Sequence, residues 1–399
     1  MPPTTRPIKV AIVGAGIGGL TAACALRQRG LEVEVYERAL ELGEVGAGVQ
    51  IGPNSFKVLR ALGLENAIRA HAFEPTNRVS LKWDDGSLRS RVPMKGVHEA
   101  EYGAPYLTAH RADLHAILRR LVPESSVHLG KQCVGAFSSS AGASARFQDG
   151  SEVEADIVIG ADGIRSTLRQ QLFGADEPRF TEMMCWRCMV PMEFVPTRVG
   201  PNDSVILERG EHFAWLGPNG HVICYPIGDG SMLNIFAGRV SDTWVEESWS
   251  VPSSREELIA AYAGWDEALL NMFRRVEHCF KWGIFDRDPQ PEWVRGRVAL
   301  LGDAAHPTMP TLAQGANMAI EDGYVLARHL ASADGDIERA LRAYVHERMP
   351  RTSRITMQSR EQFANNRKVP PPPPLDRSWI FGFDVTREQP GPAGFEARA

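Results

Sequence analysis

The sequence predicts an α/β fold: a Rossmann-like parallel-sheet domain, an inserted and mostly antiparallel β-sheet, and a C-terminal helix. A strand–helix–strand unit opens the chain at residues 8–36. Two more segments, in which a buried strand runs into a glycine turn, occur near 155–170 and 295–331. Between about 175 and 285, short apolar runs are separated by turn signals at hairpin spacing. The inserted sheet therefore divides the first domain into two stretches of sequence.

The domain boundaries follow from this change of pattern. We expect a nucleotide-binding domain made of residues 1–175 and 286–340, an antiparallel substrate domain at 176–285, and a C-terminal part at 341–399. In that last part Pro350 is expected to kink or break a helix, because proline lacks the amide hydrogen used in a helix interior. The run Pro370 to Pro374 predicts a polyproline spacer, followed by a loose polar tail.

Composition excludes several classes of protein. The chain has 399 residues, of which 43% are hydrophobic and 23% charged, as is typical of a folded protein of two or three domains. A net charge of −5 gives no basic surface for nucleic acid. The longest apolar run, Val10 to Leu20, is about half as long as a membrane-spanning helix. Six scattered cysteines make no disulfide framework and favour the reducing cytoplasm.

The first strand, residues 8–13, leads into a Gly-x-Gly-x-x-Gly motif made by Gly14, Gly16 and Gly19. The glycines allow a tight turn and close approach to a pyrophosphate, and the next helix offers free N–H groups to the phosphates. Glu37 follows the second strand, where an acid accepts hydrogen bonds from ribose hydroxyls. Together these features predict a dinucleotide site, and a glycine-rich turn without a ligand is the alternative.

Two aspartates follow the later strands. Asp162 precedes Gly163 after the strand at 155–160, and Asp303 follows Gly302 after the strand at 298–301. An aspartate beside glycine at a strand end can closely approach a sugar or ribityl hydroxyl. Taken singly, each aspartate is equally typical of a helix cap. The three motifs in this order are more specific than any one of them.

With these motifs the chain resembles the single-component (group A) flavoprotein aromatic hydroxylases over essentially its whole length. The resemblance implies that the glycine motif and Glu37, with Arg38 beside it, bind the ADP part of FAD. It implies that Asp162 contacts the pyrophosphate side and assists the nicotinamide cofactor, and that Asp303 binds the ribityl chain.

The resemblance also implies two further contacts with FAD. Arg111 is expected to reach the cofactor, and the helix that begins at Gly315, Ala316 and Asn317 is expected near the flavin pyrimidine ring. Reduced flavin is anionic at N1–C2=O, and backbone N–H groups at a helix start stabilise that charge.

The implied activity is an FAD-dependent, NAD(P)H-using monooxygenase that hydroxylates a small hydroxylated aromatic or heteroaromatic carboxylate through a flavin C4a-hydroperoxide and O2. Carbon dioxide is lost where the attacked carbon carries the carboxyl group. The sequence has no second glycine motif for a nicotinamide domain and does not choose between NADH and NADPH. A monomer or homodimer is expected.

Three alternatives stay open at this point. One is a flavin oxidase, and another is a hydroxylase or epoxidase of a bulkier secondary metabolite. The third is a non-catalytic flavin-binding module that recruits a partner through the polyproline run. No metal site is expected, because the pair Cys185 and Cys188 has no second pair to complete a ligand set.

The substrate pocket is predicted around the strand at 221–225, where alternation places His221 and Tyr225 on one face. An ordinary packed sheet face is the alternative. Hydroxylases of 3-hydroxybenzoate and of 6-hydroxynicotinate carry histidine and tyrosine at matching positions. The resemblance therefore implies that His221 accepts the phenol proton and that Tyr225 holds a substrate carboxylate or hydroxyl.

The same resemblance adds five substrate contacts, namely Gln50, Tyr106, His212, Pro310 and Thr311. Gln50 and Tyr106 match the 3-hydroxybenzoate enzymes, which have Gln where Pro310 stands. The 6-hydroxynicotinate enzymes have His in place of Gln50 and of Thr311, and Cys in place of His212. Salicylate hydroxylases are a third relative, so the substrate stays open among these acids and a fourth aromatic acid.

Overall fold

The computed structural model describes residues 6–43, 48–175, 177–242, 251–366, 368, 372–373 and 375–387. The helices are α1 Ile17–Gln28, α2 Pro53–Ala61, α3 Glu65–His71, α4 Val97–Tyr102, α5 Arg111–Arg119, α6 Thr167–Phe173, α7 Arg255–Ala261, α8 Glu267–Phe273, α9 Gly315–Ala331, α10 Ile337–Asn366 and α11 Ser378–Phe381. Short 3-10 turns lie at Gly302–Ala304 and Pro310–Leu312, among others.

The strands are β1 Lys9–Val13, β2 Glu32–Tyr36, β3 Gly48–Ile51, β4 Ala72–Phe73, β5 Asn77–Lys82, β6 Leu88–Pro93, β7 Leu107–His110, β8 Val127–His128, β9 Cys133–Ser138, β10 Ala143–Phe147, β11 Glu152–Ala155, β12 Ile157–Gly160, β13 Arg179–Pro191, β14 Arg198–Val199, β15 Val205–Ile206, β16 His212–Gly217, β17 Gly220–Ile227, β18 Met232–Val240, β19 Val251–Ser253, β20 Cys279–Asp286, β21 Val294–Arg295 and β22 Val298–Leu300.

A six-stranded sheet forms the core of the first domain, in the order β21-β22-β12-β1-β2-β8. Strands β22, β12, β1, β2 and β8 are parallel, and the edge strand β21 is antiparallel. Strands β12 and β22 are buried along their whole length, as strands covered on both faces should be. This arrangement confirms the predicted α/β class and the predicted strands near residues 8, 32, 155 and 298.

Helix α9 crosses α1 at close range because small residues line the contact. A Cβ atom on Gly323 would lie 2.7 Å from the backbone nitrogen of Ala22, and one on Gly18 would lie 3.0 Å from the Cβ of Ala319. The two helices α1 and α9, whose N-termini are expected to contribute to the functional site, are thus packed against each other. Their N-termini both lie near the carboxyl ends of the parallel strands.

The second sheet has eight strands in the order β19-β20-β13-β18-β17-β16-β5-β6. It is antiparallel except between β16 and β5, and hairpins join β16 to β17 and β17 to β18, which confirms the predicted mostly antiparallel insertion. Strands β5 and β6 differ from the expected boundary, because they belong to residues 1–175 yet pair with this sheet. The division of the chain into domains otherwise stays a prediction.

The two faces of the eight-stranded sheet are different because side chains alternate along each strand. One face carries Phe213, Val222 and Ile235, which pack in a core with residues of α7 and α8 such as Leu258 and Leu269. The opposite face is turned toward β3 and the loop before α9. Any site between the two domains must therefore use residues of that second face.

Helix α10 runs through Pro350 as one element, so the expected break at this residue is wrong. Ion pairs on both sides of the proline hold α10 against α9, and they offset the loss of one backbone hydrogen bond. Arg348 pairs with Asp322 at 2.7 Å, and Arg351 pairs with Glu321 at 2.9 Å. The polyproline run and the tail lie largely outside the described residues. Among the helices that are described, none combines the length and the low charge needed to cross a membrane.

Candidate active site

The glycine motif makes a tight turn at the carboxyl end of β1. Gly14 has φ of +107°, and a Cβ atom there would lie 2.3 Å from the carbonyl oxygen of Ala161. A Cβ on Gly19 would lie 2.0 Å from the carbonyl oxygen of Gly14. A Cβ on Gly16, in contrast, would meet no heavy atom within 4 Å. Gly14 and Gly19 are thus required by the fold, whereas Gly16 faces open space.

The start of α1 is suited to binding phosphate. Gly16 caps the helix without a side-chain hydrogen bond, and the first turn carries no acidic residue. The first N–H groups of α1 therefore remain available at the positive end of the helix dipole. A pyrophosphate placed over Gly16 would accept from them.

Glu37 follows β2 directly and is held in place by two backbone groups. Its Oε2 atom accepts from the N–H of Ala15 at 2.8 Å, and its Oε1 atom accepts from the N–H of Ala39 at 3.0 Å. The carboxylate thus stabilises the glycine turn as well as lying where a ribose is expected. Arg38 is exposed beside it.

Asp162 has one oxygen in use and one without a partner. Its Oδ2 atom accepts from the N–H of Leu168 at 3.3 Å, so the aspartate does cap the first turn of α6. Its Oδ1 atom is buried and has no hydrogen-bond partner among the described residues. Burial raises the pKa of this carboxyl group. A buried acceptor without a donor is costly, and a bound hydroxyl or phosphate-bound group would satisfy it.

Asp303 lies in the turn after β22, below the start of α9. Solvent reaches its side chain, yet protein atoms surround it on most sides and raise the pKa of the carboxyl group by desolvation. These two facts together place it in the wall of a cleft. A Cβ on Gly315 would lie 3.8 Å from its Oδ1 atom, and Arg111, at the start of α5, is close enough to act on its charge.

The start of α9 is fixed by Asn317. Its Oδ1 atom accepts from the N–H of Gly52 at 2.8 Å, and its Nδ2 atom donates to the carbonyls of Gln50 and Ala313. The Asn317 side chain is therefore occupied within the protein. Gly315 and Ala316 precede it in the helix, so any contact of this segment with a ligand falls to their backbone N–H groups.

Below this turn, a buried charged network ties α9 to the Gly302 turn. Asp322 accepts from the N–H of Gly302 at 3.1 Å and pairs with His306 and Arg348. Burial would raise the pKa of Asp322, but its interactions with His306 and Arg348 outweigh burial and hold that pKa below its ordinary value. His306 is thus part of the support of the turn.

On the second sheet, one row of side chains faces the first domain. Arg78 on β5 lies opposite His212 on β16, and Tyr225 on β17 lies opposite Asn234 on β18. The rings of His212 and Tyr225 stack with centroids 5.7 Å apart. Burial, together with the nearby charges of Arg78 and Arg377, lowers the pKa of His212 to about 3. His212 is therefore neutral.

Strand β3 of the first domain lies directly over this row. The N–H of Gly48 donates to Asn234 Oδ1 at 2.6 Å, and Arg187 donates to the carbonyl of Gly48 at 2.7 Å. A Cβ on Gly48 would lie 2.5 Å from the ring of Tyr225, so only glycine permits this approach. The two domains are thus locked together at Tyr225.

Gln50 links the two tyrosines expected in the pocket. Tyr106 donates to Gln50 Oε1 at 2.5 Å, and Gln50 also hydrogen-bonds to Tyr225. Burial raises the pKa of Tyr106 to about 12, so this phenol is a donor at neutral pH. The structure therefore brings Gln50, Tyr106, His212 and Tyr225 together, as a common pocket requires.

His221 lies on the same face as Tyr225 but does not touch it. They are four positions apart along β17, so their backbones are separated by roughly 13 Å at the usual rise per residue. The His221 ring stacks on Phe236 and lines a small, partly open cavity with Met183, Phe363 and Asn366. Burial lowers the pKa of His221 to about 4, so the ring is neutral and can accept a proton.

Pro310 and Thr311 lie in the loop before α9. Pro310 is exposed, and the Thr311 hydroxyl donates to the carbonyl of Ser359 on α10 at 2.5 Å. This threonine thus anchors the loop to α10 through its side chain. Cys185 and Cys188 fall on opposite faces of β13, as strand residues three apart must, and no metal-binding group of His, Cys, Asp or Glu occurs among the described residues.

Sequence reasoning missed three residues of this region: Arg78, Asn234 and Arg377. None belongs to a motif, and Arg78 lies in a strand that the sequence assigned to the other domain. The alternation of side chains along β5 can be read from the sequence, but the pairing of β5 with β16 cannot. Contacts of this kind become visible only with the order of the strands.

The glycine turn, the free start of α1, Asp162 and Asp303 form a cleft that fits a dinucleotide, and Gln50, Tyr106 and Tyr225 are linked by hydrogen bonds where β3 meets the eight-stranded sheet. The fold and the site thus define a dinucleotide-dependent enzyme with a small polar substrate pocket. The chain belongs to the FAD binding domain family, which it matches over residues 7–359. FAD is its cofactor, and the unpartnered Asp162 oxygen and the open space over Gly16 are consistent with that ligand.

Related enzymes and structures agree with this assignment. The chain is 40% identical to 3-amino-4-hydroxybenzoate 2-monooxygenase PtnB3 of Streptomyces platensis, covering 96% of this chain and 97% of that one. It is 35% identical to 6-hydroxynicotinate 3-monooxygenase of Pseudomonas fluorescens, covering 94% and 95%. A salicylate hydroxylase substrate complex superimposes with a TM-score of 0.80 at 26% identity, covering 95% and 96%. The protein is therefore an FAD-dependent monooxygenase.

Proposed function

We propose that this enzyme hydroxylates the ring of a small hydroxylated aromatic acid, and that 3-amino-4-hydroxybenzoate is the first compound to test. The observation that carries the proposal is the polar face between the sheets, with His221 at one end and Tyr225, Gln50 and Tyr106 at the other. The similarity to 3-amino-4-hydroxybenzoate 2-monooxygenases supports the choice of compound, which none of the motifs alone suggested.

The dimensions of this face suit a single ring. The two polar groups of a hydroxybenzoate are roughly 6 Å apart, and a hydrogen bond of about 2.8 Å at each end extends this to roughly 12 Å. That length is close to the separation of His221 and Tyr225 along the strand. His221 would accept the phenol proton at one end while the tyrosines and Gln50 hold the other.

Bound FAD supplies the activated oxygen after reduction by NAD(P)H and reaction with O2. The protein's own groups orient the ring, exclude water and withdraw the phenol proton. His221 is uncharged at neutral pH, so its ring has a nitrogen that can accept a hydrogen bond from the phenol of the substrate.

The test is a panel of aminohydroxybenzoates, hydroxybenzoates, salicylate and 6-hydroxynicotinate, each offered with NADH and with NADPH. NAD(P)H oxidation, O2 uptake, CO2 release and product identity are measured together, because uncoupled turnover consumes NAD(P)H without making product. We expect coupled hydroxylation of at least one acid. Faster NAD(P)H oxidation with every acid but no hydroxylated product would contradict the proposal.

A further inference from the structure

Two arginines meet at the Tyr225 end of the site without an anion between them. Arg78 lies opposite His212 in the sheet, and Arg377 lies just before α11. Burial lowers the pKa of Arg377, and the charge of Arg78 adds to this effect. Both arginines also add to the effect of burial on the pKa of His212. Among the residues that the structure describes, neither guanidinium makes a hydrogen bond or an ion pair. Two neighbouring cations without a counter-ion are unfavourable in a partly enclosed site.

Among the residues that the structure describes, no carboxylate forms an ion pair with either guanidinium, although Glu74 and Glu101 act, like Arg78, on the neighbouring His98. The row contains His212, Tyr225 and Asn234, which are all uncharged, and Tyr106 keeps its proton at neutral pH. The Nδ1 atom of His212 is buried without a hydrogen-bond partner among the described residues. An unpaired polar atom beside two unpaired cations indicates that an anionic ligand completes this end of the site.

Arg377 reaches this position because its segment is tied to the first domain. We call residues 375–385 the C-terminal strap. Lys57 donates to three successive carbonyls of the strap, at Phe381, Gly382 and Phe383, and Arg351 donates to the carbonyls of Trp379 and Ile380.

The strap also packs directly against the pocket. The ring of Phe381 lies edge-on to Tyr106 with centroids 5.7 Å apart, and Arg328 holds the far end of the strap through the carbonyl of Val385. A segment with this many anchors can position a guanidinium, which a free tail cannot.

We propose that Arg78 and Arg377 together bind the carboxylate of the aromatic substrate, and that the C-terminal strap is therefore part of the substrate site. This inference rests on the proposed function, because it names the group that holds the acid. Arginine forms paired hydrogen bonds with a carboxylate, and two arginines neutralise it fully in a partly enclosed site. The other end of the ring is thereby directed toward His221.

The test compares two ligands that differ only by the carboxyl group, 3-amino-4-hydroxybenzoate and 2-aminophenol. Their binding to the FAD-loaded enzyme is titrated by the change in flavin absorbance, which requires no turnover. Arg377→Gln and Arg78→Gln should each weaken binding of the acid by roughly 10- to 100-fold and leave the affinity for 2-aminophenol within about twofold of wild type. Arg377→Lys should restore part of the affinity for the acid, since it keeps the charge.

Arg354→Gln is the matched control, because the Arg354 guanidinium stacks on Trp379 of the same strap at 3.8 Å from its ring centroid. It should leave both affinities unchanged. FAD content and melting temperature are measured for every variant, and Arg377→Lys carries the test if a glutamine variant fails to fold.

Three results would overturn the inference. One is an equal loss of affinity for the acid and for 2-aminophenol in Arg377→Gln and Arg377→Lys alike, which indicates a structural role. A second is a rise in the KM for NAD(P)H alone, which assigns the pair to a cofactor phosphate. The third is wild-type enzyme that binds neither compound nor any acid of the panel. A wild-type enzyme that binds the acid through the arginines but makes no product would contradict the proposed function only.

Discussion

The glycine turn at residues 14–19 and the polar face of the eight-stranded sheet are both predicted from the sequence, but on different grounds. The turn is local, because its three glycines, the start of α1 and Glu37 all belong to the strand–helix–strand unit that opens the chain. The polar face draws its residues from β5, β16, β17 and β18 and from the C-terminal strap. Spacing along the chain predicts the first kind of site, whereas strand order decides the second.

The largest expected effect is on the free energy of unfolding, and it tests whether Gly14 and Gly16 of the turn have different roles. Gly14→Ala should prevent stable folding, because φ of +107° strains an alanine and its Cβ would lie 2.3 Å from the Ala161 carbonyl oxygen. We expect a loss of about 3 kcal/mol or more in the free energy of unfolding, measured by urea denaturation.

Gly16→Ala is the matched control, because its Cβ meets no protein atom within 4 Å. It should keep the melting temperature of the FAD-free protein and lose FAD affinity at least tenfold, since the methyl group projects into the space for the pyrophosphate. Equal losses of stability in the two variants would show that both glycines serve the fold alone.

The next effect concerns catalysis at the far end of the sheet face. His221→Ala should lower the coupled hydroxylation rate by roughly 10²- to 10⁴-fold, the usual contribution of a general base. FAD content should stay normal and peroxide release per NAD(P)H should rise, because flavin reduction does not need this ring. The rates are measured by stopped-flow absorbance and by product analysis.

Ile223→Val serves as the control, since Ile223 lies on the same face of β17 and loses only a methylene group. It should change the product yield per NAD(P)H little. If His221→Ala lowers the melting temperature but keeps the wild-type yield, the histidine packs the sheet and has no part in the reaction.

The comparison also separates what the sequence could predict from what it could not. The positions of β1 and β2 and the start of α9 at Gly315 follow from their local patterns. The pairing of β5 with β16 has no local signal, so Arg78 fell within the range expected for the nucleotide-binding domain and was missed. Arg377 follows a proline-rich segment, and only packing of the C-terminal strap brings it to the site.

The smallest expected effect is a pH dependence of the free energy of unfolding, which arises from burial of His221. The sheet face should show this dependence, and the glycine turn should lack it. The folded-state pKa of His221 is lowered from 6.5 to about 4. Between these values the unfolded chain binds a proton that the folded protein does not, so the free energy of unfolding decreases as the pH falls through this window. At pH 5 the decrease from this residue is at most about 2 kcal/mol relative to pH 8.

Substituting His221→Gln removes this decrease, so the difference in melting temperature between variant and wild type should shift in favour of the variant at pH 5. Ile223→Val, which changes no titratable group on the same strand, is the control and should show the same gap at both pH values. A His221→Gln gap that does not depend on pH would mean that the ring is solvated or already charged in the folded protein, and His221 could then not serve as the neutral proton acceptor.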